Sequence, residues 1–245
     1  MFIKNPYLPQ NTVNLFACAD RKEVCFALSD FGAEVIKIKK SKAFEPCECD
    51  HSDMHICHLA DKKVVVYKED TYLSEALLKR GFDVIYAKKK KTSKYPDCAA
   101  LNALILGRFL VCNKKAVDDT ILDYANENEM KIIDCKQGYT RCSSLVVNEK
   151  AVITDDVSVY KALENEVEVL LISKADIYLD DNKSGFIGGC AGYIDKNTIA
   201  FCGNIKHHPD FEKIAAFLKK HKTEYVCIGE GKLCDIGTIM PLCEA

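Results

Sequence analysis

Residues 104–135 read LILGRFLVCNKKAVDDTILDYANENEMKIIDC, and this stretch decides the fold. Two short apolar runs flank the turn Gly107-Arg108, the pattern of a β-hairpin. Asp118 and Asp119 then open a helix whose Ile121, Leu122 and Ala125 share one face at the 3.6-residue period. Lys131-Ile132-Ile133-Asp134-Cys135 follows as a strand. The stretch is one unit of strand, turn, strand, helix, strand.

Working outward, the unit recurs along the whole chain. Its trailing strands are predicted over 33–38, 82–86, 131–135, 167–172 and 224–228, with starts spaced by 49, 49, 36 and 57 residues in a chain of 245. Amphipathic helices precede them: Val24, Ala27 and Leu28; Leu73, Leu77 and Leu78, with Gly81 as a stop; Val159, Ala162 and Leu163; and Phe211, Ile214, Ala215 and Leu218. Hairpin turns lie at 60–63, 107–108, 147–150 and 194–197. The first unit lacks its leading strand, and 234–240 reads as a spare one. The economical expectation is that the C-terminal strand completes the N-terminal unit and closes a ring. A repeat of this length means units that bury their apolar faces only against one another. Functional residues are then to be sought at the same level of each unit, where the units meet.

Composition narrows the class. At 245 residues one domain spanning 1–245 is the expectation. A net charge of −2 argues against nucleic acid and anionic membrane as partners. The most apolar stretch, 99–112, is broken by Asn102, Gly107 and Arg108 and is too short to span a bilayer. The opening MFIKNP lacks an apolar export core, and the fourteen cysteines mostly sit in strand-like runs as small buried hydrophobes. A reducing cytoplasm fits both. Cys47, Cys49, His51, His55, Cys57 and His58 crowd into twelve residues, but Cys-x-Cys is not the usual zinc-ligand spacing, so neither metal nor cofactor is expected. The lysine run 88–94 reads as a solvated loop.

The segments leading each hairpin hold the unusual residues: His51-Ser52-Asp53-Met54-His55, Pro96-Asp97-Cys98, residues 137–143, residues 185–192 and residues 229–235. Equivalent units would bring all five to one mouth. Gly188 and Gly189 fit a phosphate loop only loosely, since no Gly-Lys-Ser/Thr ending follows; a tight turn that leaves room at the mouth suits them better.

With its five strand-strand-helix-strand units, its His51-Ser52-Asp53 segment and its Gly138-Tyr139-Thr140-Arg141-Cys142 segment, the chain resembles the pentein superfamily of guanidino-group modifying enzymes, nearest to an uncharacterised bacterial family of that fold. The resemblance implies an α/β fold, a pseudo-fivefold α/β propeller closed by the C-terminal strand. It implies a hydrolase or amidinotransferase acting on a small guanidino compound. Cys142 would be the nucleophile and His51 the acid/base. Asp53 would hold the cation with Asp97, and Arg141, Gly188, Gly189 and Asp235 would complete the substrate-binding set. In the superfamily the nucleophile usually lies in the last segment, where Cys234 stands, and the His-x-Asp segment two units before it. His51 and Cys142 keep that relative spacing but are rotated in the ring. Cys234 thus remains an alternative thiol and His55 an alternative acid/base. A guanidinium carbon is a poor electrophile, which calls for a thiolate, for carboxylates to hold the planar cation, and for a histidine to protonate the leaving amine. The alternative is a non-catalytic pentein that binds a macromolecule, since fold alone does not choose.

Overall fold

The structure, a computed structural model, describes residues 1–174, 177–179 and 183–245. The chain opens with β1 (Val13–Ala19), α1 (Lys22–Asp30) and β2 (Glu34–Ile38). A single helical turn, α2 (Ser52–His55), leads into β3 (Ile56–Ala60), β4 (Lys63–Val66), α3 (Thr71–Leu78) and β5 (Asp83–Tyr86). The same order returns as β6 (Leu104–Leu106), β7 (Phe109–Cys112), α4 (Asp119–Glu127) and β8 (Lys131–Asp134). It returns again as β9 (Ser144–Asn148), β10 (Ala151–Thr154), α5 (Val157–Leu163) and β11 (Glu168–Leu171). After a two-residue ladder of β12 (Tyr178–Leu179) and β13 (Lys183–Ser184) come β14 (Ala191–Tyr193), β15 (Thr198–Cys202), α6 (Phe211–Lys220) and β16 (Glu224–Ile228), and β17 (Met240–Glu244) ends the fold.

The result is a mixed α/β fold of small sheets. Each unit makes a three-stranded sheet whose central strand pairs antiparallel with its leading strand and parallel with its trailing one, as β6-β7-β8 does. The parallel partner is reached through the helix, the crossover that a parallel pair requires. The N-terminal unit borrows its leading strand: β17 pairs antiparallel with β1, Ala17 opposite Met240 and Val13 opposite Glu244.

Sequence pattern explains the layering. Central strands β7 and β10 are buried at every position, so they read as unbroken apolar runs. Trailing strands such as β5 and β11 are exposed at both ends and half-buried between. On α6 the buried Ile214, Phe217 and Leu218 form one stripe, and each such side chain contributes about 1.5–3 kcal/mol. Asp118 and Asp156 cap α4 and α5 by accepting the Thr120 and Ser158 amides at 2.9 and 2.8 Å.

One expectation is corrected. The spare strand is not continuous over 234–240: Cys234 makes an isolated bridge to Tyr178, Gly237 and Thr238 take φ values of +70° and +78° and bend the chain, and the strand that pairs with β1 begins at Met240. The segment before β3 is helical over Ser52–His55.

Candidate active site

The five leading segments are joined in a closed circuit of hydrogen bonds. The Asp53 amide and the Ser52 hydroxyl donate to Gly237 O at 3.2 and 2.6 Å. Asn102 Nδ2 reaches Met54 Sδ at 3.8 Å, and Asn102 Oδ1 accepts the amides of Arg141 and Cys142, each at 3.0 Å. The Gly189 amide donates to Cys142 O at 2.9 Å. Gly189 O accepts the Ile236 and Thr238 amides at 3.1 and 2.9 Å, which returns the circuit to Gly237. These segments are too irregular to satisfy themselves, so they satisfy each other.

At the centre of this circuit Cys142 donates its thiol to Asp235, with Sγ at 3.3 Å from Oδ2 and 3.6 Å from Oδ1. Asp235 is held by the Phe186 and Gly237 amides, each at 2.9 Å. His51 Nδ1 lies 3.7 Å from Asp235 Oδ1, and its Nε2 is buried without a partner among the described residues. Among those residues the buried Asp53 carboxylate has no partner within hydrogen-bond geometry, and the Cys142 thiol is the neighbour that acts on it as a donor. An unpaired carboxylate in such a place is costly unless something else meets it. Burial, then the charges of Asp235 and Asp53, push the Cys142 thiol well above its ordinary range. Burial also raises the Asp53 carboxyl, opposed by His51 and Arg141. Beside these carboxylates alone, the thiol is therefore protonated.

Two glycines make this packing possible. A Cβ on Gly189 would stand 2.0 Å from Asp235 Oδ1, and one on Gly237 would stand 2.1 Å from His51 Cβ. The positive φ of Gly237 adds a second reason for glycine there. Gly188 packs on backbone, its would-be Cβ 2.3 Å from Ser144 O. Both Gly188 and Gly189 thus shape the floor without presenting a group to a ligand.

His51, Asp53, Cys142 and Asp235 open onto one cavity of about 360 Å³. Its walls are Tyr95, Tyr139 and Phe186 on one side and Glu45, Glu48 and Lys183 among the others. Tyr139 stacks against Tyr95 at 5.6 Å and lies 6.0 Å from Phe186 between ring centroids.

Several sequence candidates lie elsewhere. Asp97 is on the surface, 3.5 Å from the Lys89 ammonium. The part its segment plays is taken by Asn102, whose only trace in the sequence is a polar residue near the start of the apolar run 99–112. Arg141 turns away from Cys142, donates to Ser144 O at 2.8 Å and stacks over Tyr7 at 4.1 Å, so its guanidinium is a buried structural group. Residues 140–143 form a turn, with the Ser143 and Ser144 amides donating to Tyr139 O and Arg141 O at 2.9 and 3.2 Å. Cys234 does not line the cavity; its amide donates to Cys202 O at 2.8 Å. His55 is spent on the other side, within 3.0 Å of Asp70 Oδ2 and 2.9 Å of Cys49 O. His58 is bound at 2.7 Å to Asp61 O. The Cys and His residues of 47–58 therefore face different neighbours, and among the described residues no three His, Cys, Asp or Glu are placed to hold a metal ion. Glu48 and Tyr139 were not singled out by sequence, since a glutamate in a polar loop and a tyrosine beside a glycine have many uses.

No helix among the described residues is long and apolar enough to cross a membrane. A model of a family of unknown function, DUF6873, matches residues 18–240. No curated protein matches the chain. Solved structures do. An inosamine-phosphate amidinotransferase from Streptomyces griseus shares 9% identity over 95% of this chain and 92% of its own, with a TM-score of 0.61. An amidinotransferase of the saxitoxin biosynthetic pathway from Microseira wollei shares 10% identity over 92% and 91%, with a TM-score of 0.56. The agmatine deiminase of C. jejuni shares 10% over 94% and 90%, with a TM-score of 0.52. The fold is that of the pentein superfamily.

Proposed function

We propose that this chain, which belongs to the family of unknown function DUF6873, is a cysteine-dependent hydrolase or amidinotransferase acting on a small guanidino compound. The reading takes the five sheets as one domain around a pseudo-fivefold axis, with the cavity at the mouth. It takes the protein as cytoplasmic and the chemistry as carried by side chains alone. One observation carries it: Cys142, Asp235, His51 and Asp53, distant in sequence, converge on the floor of one cavity with a free nitrogen and a free carboxylate among them. A macromolecule-binding pentein has no need of that arrangement, and a cavity of about 360 Å³ suits a small molecule.

The chemistry follows from the charges. A planar guanidinium entering between Asp53 and Asp235 gives the two carboxylates the cation they lack. Its positive charge offsets the field that holds Cys142 protonated, so the thiolate forms only beside the substrate, its proton passing to His51 Nε2. The thiolate attacks the guanidinium carbon. His51, oriented through Nδ1 by Asp235, passes a proton from Nε2 to the departing amine. The same nitrogen then takes a proton from water or from an acceptor amine, whose oxygen or nitrogen bonds the carbon and displaces Cys142 as thiolate, giving a ureido product or amidino transfer. Asp235 therefore acts at the reacting centre rather than at the rim, while Gly188 and Gly189 shape the space around it.

Incubation with a panel of guanidino compounds, read for ammonia, ureido products and amidino transfer, tests this reading. Turnover that disappears in Cys142→Ser but survives in Cys234→Ser is the expected result. No turnover, together with a Cys142 whose alkylation rate no guanidinium changes, would overturn it.

A further inference from the structure

The cavity walls say more about the substrate than the floor does. Among the described residues the cavity is lined by four carboxylates, Glu45, Glu48, Asp53 and Asp235, and by one ammonium, that of Lys183. Lys183 is half-exposed at the edge of the cavity, its Nζ 4.0 Å from Glu45 Oε2 and donating to Cys47 Sγ at 3.6 Å. Two of the remaining carboxylates, Asp53 and Asp235, flank Cys142. Glu48 is left with the Tyr139 hydroxyl, a long contact of 3.4 Å to Oε1. That hydroxyl is shared with the Cys98 thiol at 3.1 Å, so it neutralises nothing. Glu48 sits three residues before His51, in the short turn Pro46–Glu48, and burial raises its carboxyl above the usual range. The wall beyond it is the stack of Tyr95, Tyr139 and Phe186.

We infer that the natural ligand carries a guanidinium at one end and a second cation, not a carboxylate, at the other. This rests on the guanidinium reading of the floor and adds to it the far end. Glu48 takes the second cation, and the aromatic stack lies along an apolar chain between the two charges. A terminal carboxylate would face Glu48 and Glu45, with only Lys183 among the described lining residues as a cation. Lys183 would have to leave Glu45 to help, exposing a carboxylate in the same act. Glu48 is thus a specificity-determining residue, and the acidic wall is selective against amino-acid substrates as much as for amines.

Calorimetric titration of the full chain tests this with three ligands of equal chain length: an aminoalkylguanidine, an alkylguanidine and a guanidinoalkanoate. The aminoalkylguanidine should bind about tenfold more tightly than the alkylguanidine, the worth of one charge-assisted contact, with the guanidinoalkanoate weakest. In Glu48→Gln that tenfold advantage of the aminoalkylguanidine over the alkylguanidine should vanish. The inference is overturned if the guanidinoalkanoate equals or exceeds the aminoalkylguanidine in the wild-type protein, a comparison that needs no variant to fold. It is also overturned if Glu48→Gln keeps the ranking. If none of the three binds, the guanidinium reading falls and takes this one with it. If the alkylguanidine binds but the ranking fails, only this one falls.

Discussion

Replacing Asp235 by asparagine isolates the charge that silences Cys142. The Cys142 sulfur lies 3.3 Å from Asp235 Oδ2, both deeply buried. At an effective dielectric of about 20, two unit charges at that separation repel by about 5 kcal/mol, or about 3.7 pH units on the thiol. That figure is an upper bound, because the carboxylate charge is shared between two oxygens. A thiolate also loses nucleophilicity as its pKa falls, with a Brønsted slope of about 0.45, so the net gain in alkylation rate is at most about a hundredfold. We expect Cys142 in Asp235→Asn to react with iodoacetamide about ten- to a hundredfold faster at pH 8 than in the wild-type protein. Peptide-resolved mass spectrometry over a pH series measures it, with the other thirteen cysteines as internal references. The carboxamide of this variant gives up one of the bonds to the Phe186 and Gly237 amides, so loosening of the loop is a competing cause. Asp53→Asn separates the two, because the Asp53 carboxylate holds no such bonds, and it should accelerate Cys142 in the same direction. Equal rates in all three proteins would refute the electrostatic account. So would an acceleration spread across many cysteines, which would mean local unfolding.

The remaining predictions concern the loop around Asp235. Gly189→Ala puts a Cβ 2.0 Å from Asp235 Oδ1 and should cost about 1–3 kcal/mol in urea denaturation. Gly231→Ala, with nothing within 4 Å of its would-be Cβ, should change stability by less than about 0.5 kcal/mol. Asp155, whose Oδ2 accepts the Ile187 amide at 3.1 Å, is pushed up to about 7 by burial, with Asp235 adding to it. A carboxyl raised in the folded state holds its proton longer there than in the unfolded chain. Stability from this group is therefore full below about pH 4 and declines as pH rises to about 7. Asp155→Asn should remove that decline, so the stability gap between variant and wild type should widen from pH 4 to pH 7 and then level off. A constant gap, measured by denaturant titration across pH, would refute it.

The fold was legible because each unit declares itself locally. The strand Glu224–Ile228 falls where the sequence puts it, and the other trailing strands differ by only a residue or so at their ends. Hairpin turns and helix stripes are set by neighbours within a few residues. The leading segments were less legible, since their conformations are fixed by partners in other units. Ser52–His55 turns helical while its Ser52 hydroxyl and Asp53 amide are held by Gly237 O, a residue nearly two hundred positions away. Cys142 and His51 stood out by residue type and segment. Asn102 did not, because its role is to accept two amides from residues 141 and 142, and no local pattern announces that. Asp97 misled for the opposite reason: an acidic residue at a plausible level of the repeat was free to face water and pair with Lys89.

On the proposed function, the closed circuit of segments bears on why Cys142 could serve as nucleophile from a different unit than the one the resemblance implies. Each unit supplies one irregular segment, and each segment is held by its neighbours rather than by its own sheet. Such a circuit has no privileged first unit. A thiol on one segment, a histidine two units before it and a carboxylate on a third meet at the same level wherever the count begins. What must be kept is the relative offset and the close approaches, here made by Gly189 against Asp235 and Gly237 against His51. The unit around Cys142 meets both conditions. The segment of Cys234 does not, because Asp235 beside it already occupies the centre, and an adjacent side chain points away. With Asp235 at the middle of the mouth and Cys234 off the cavity wall, the proposed function assigns the thiol position to Cys142.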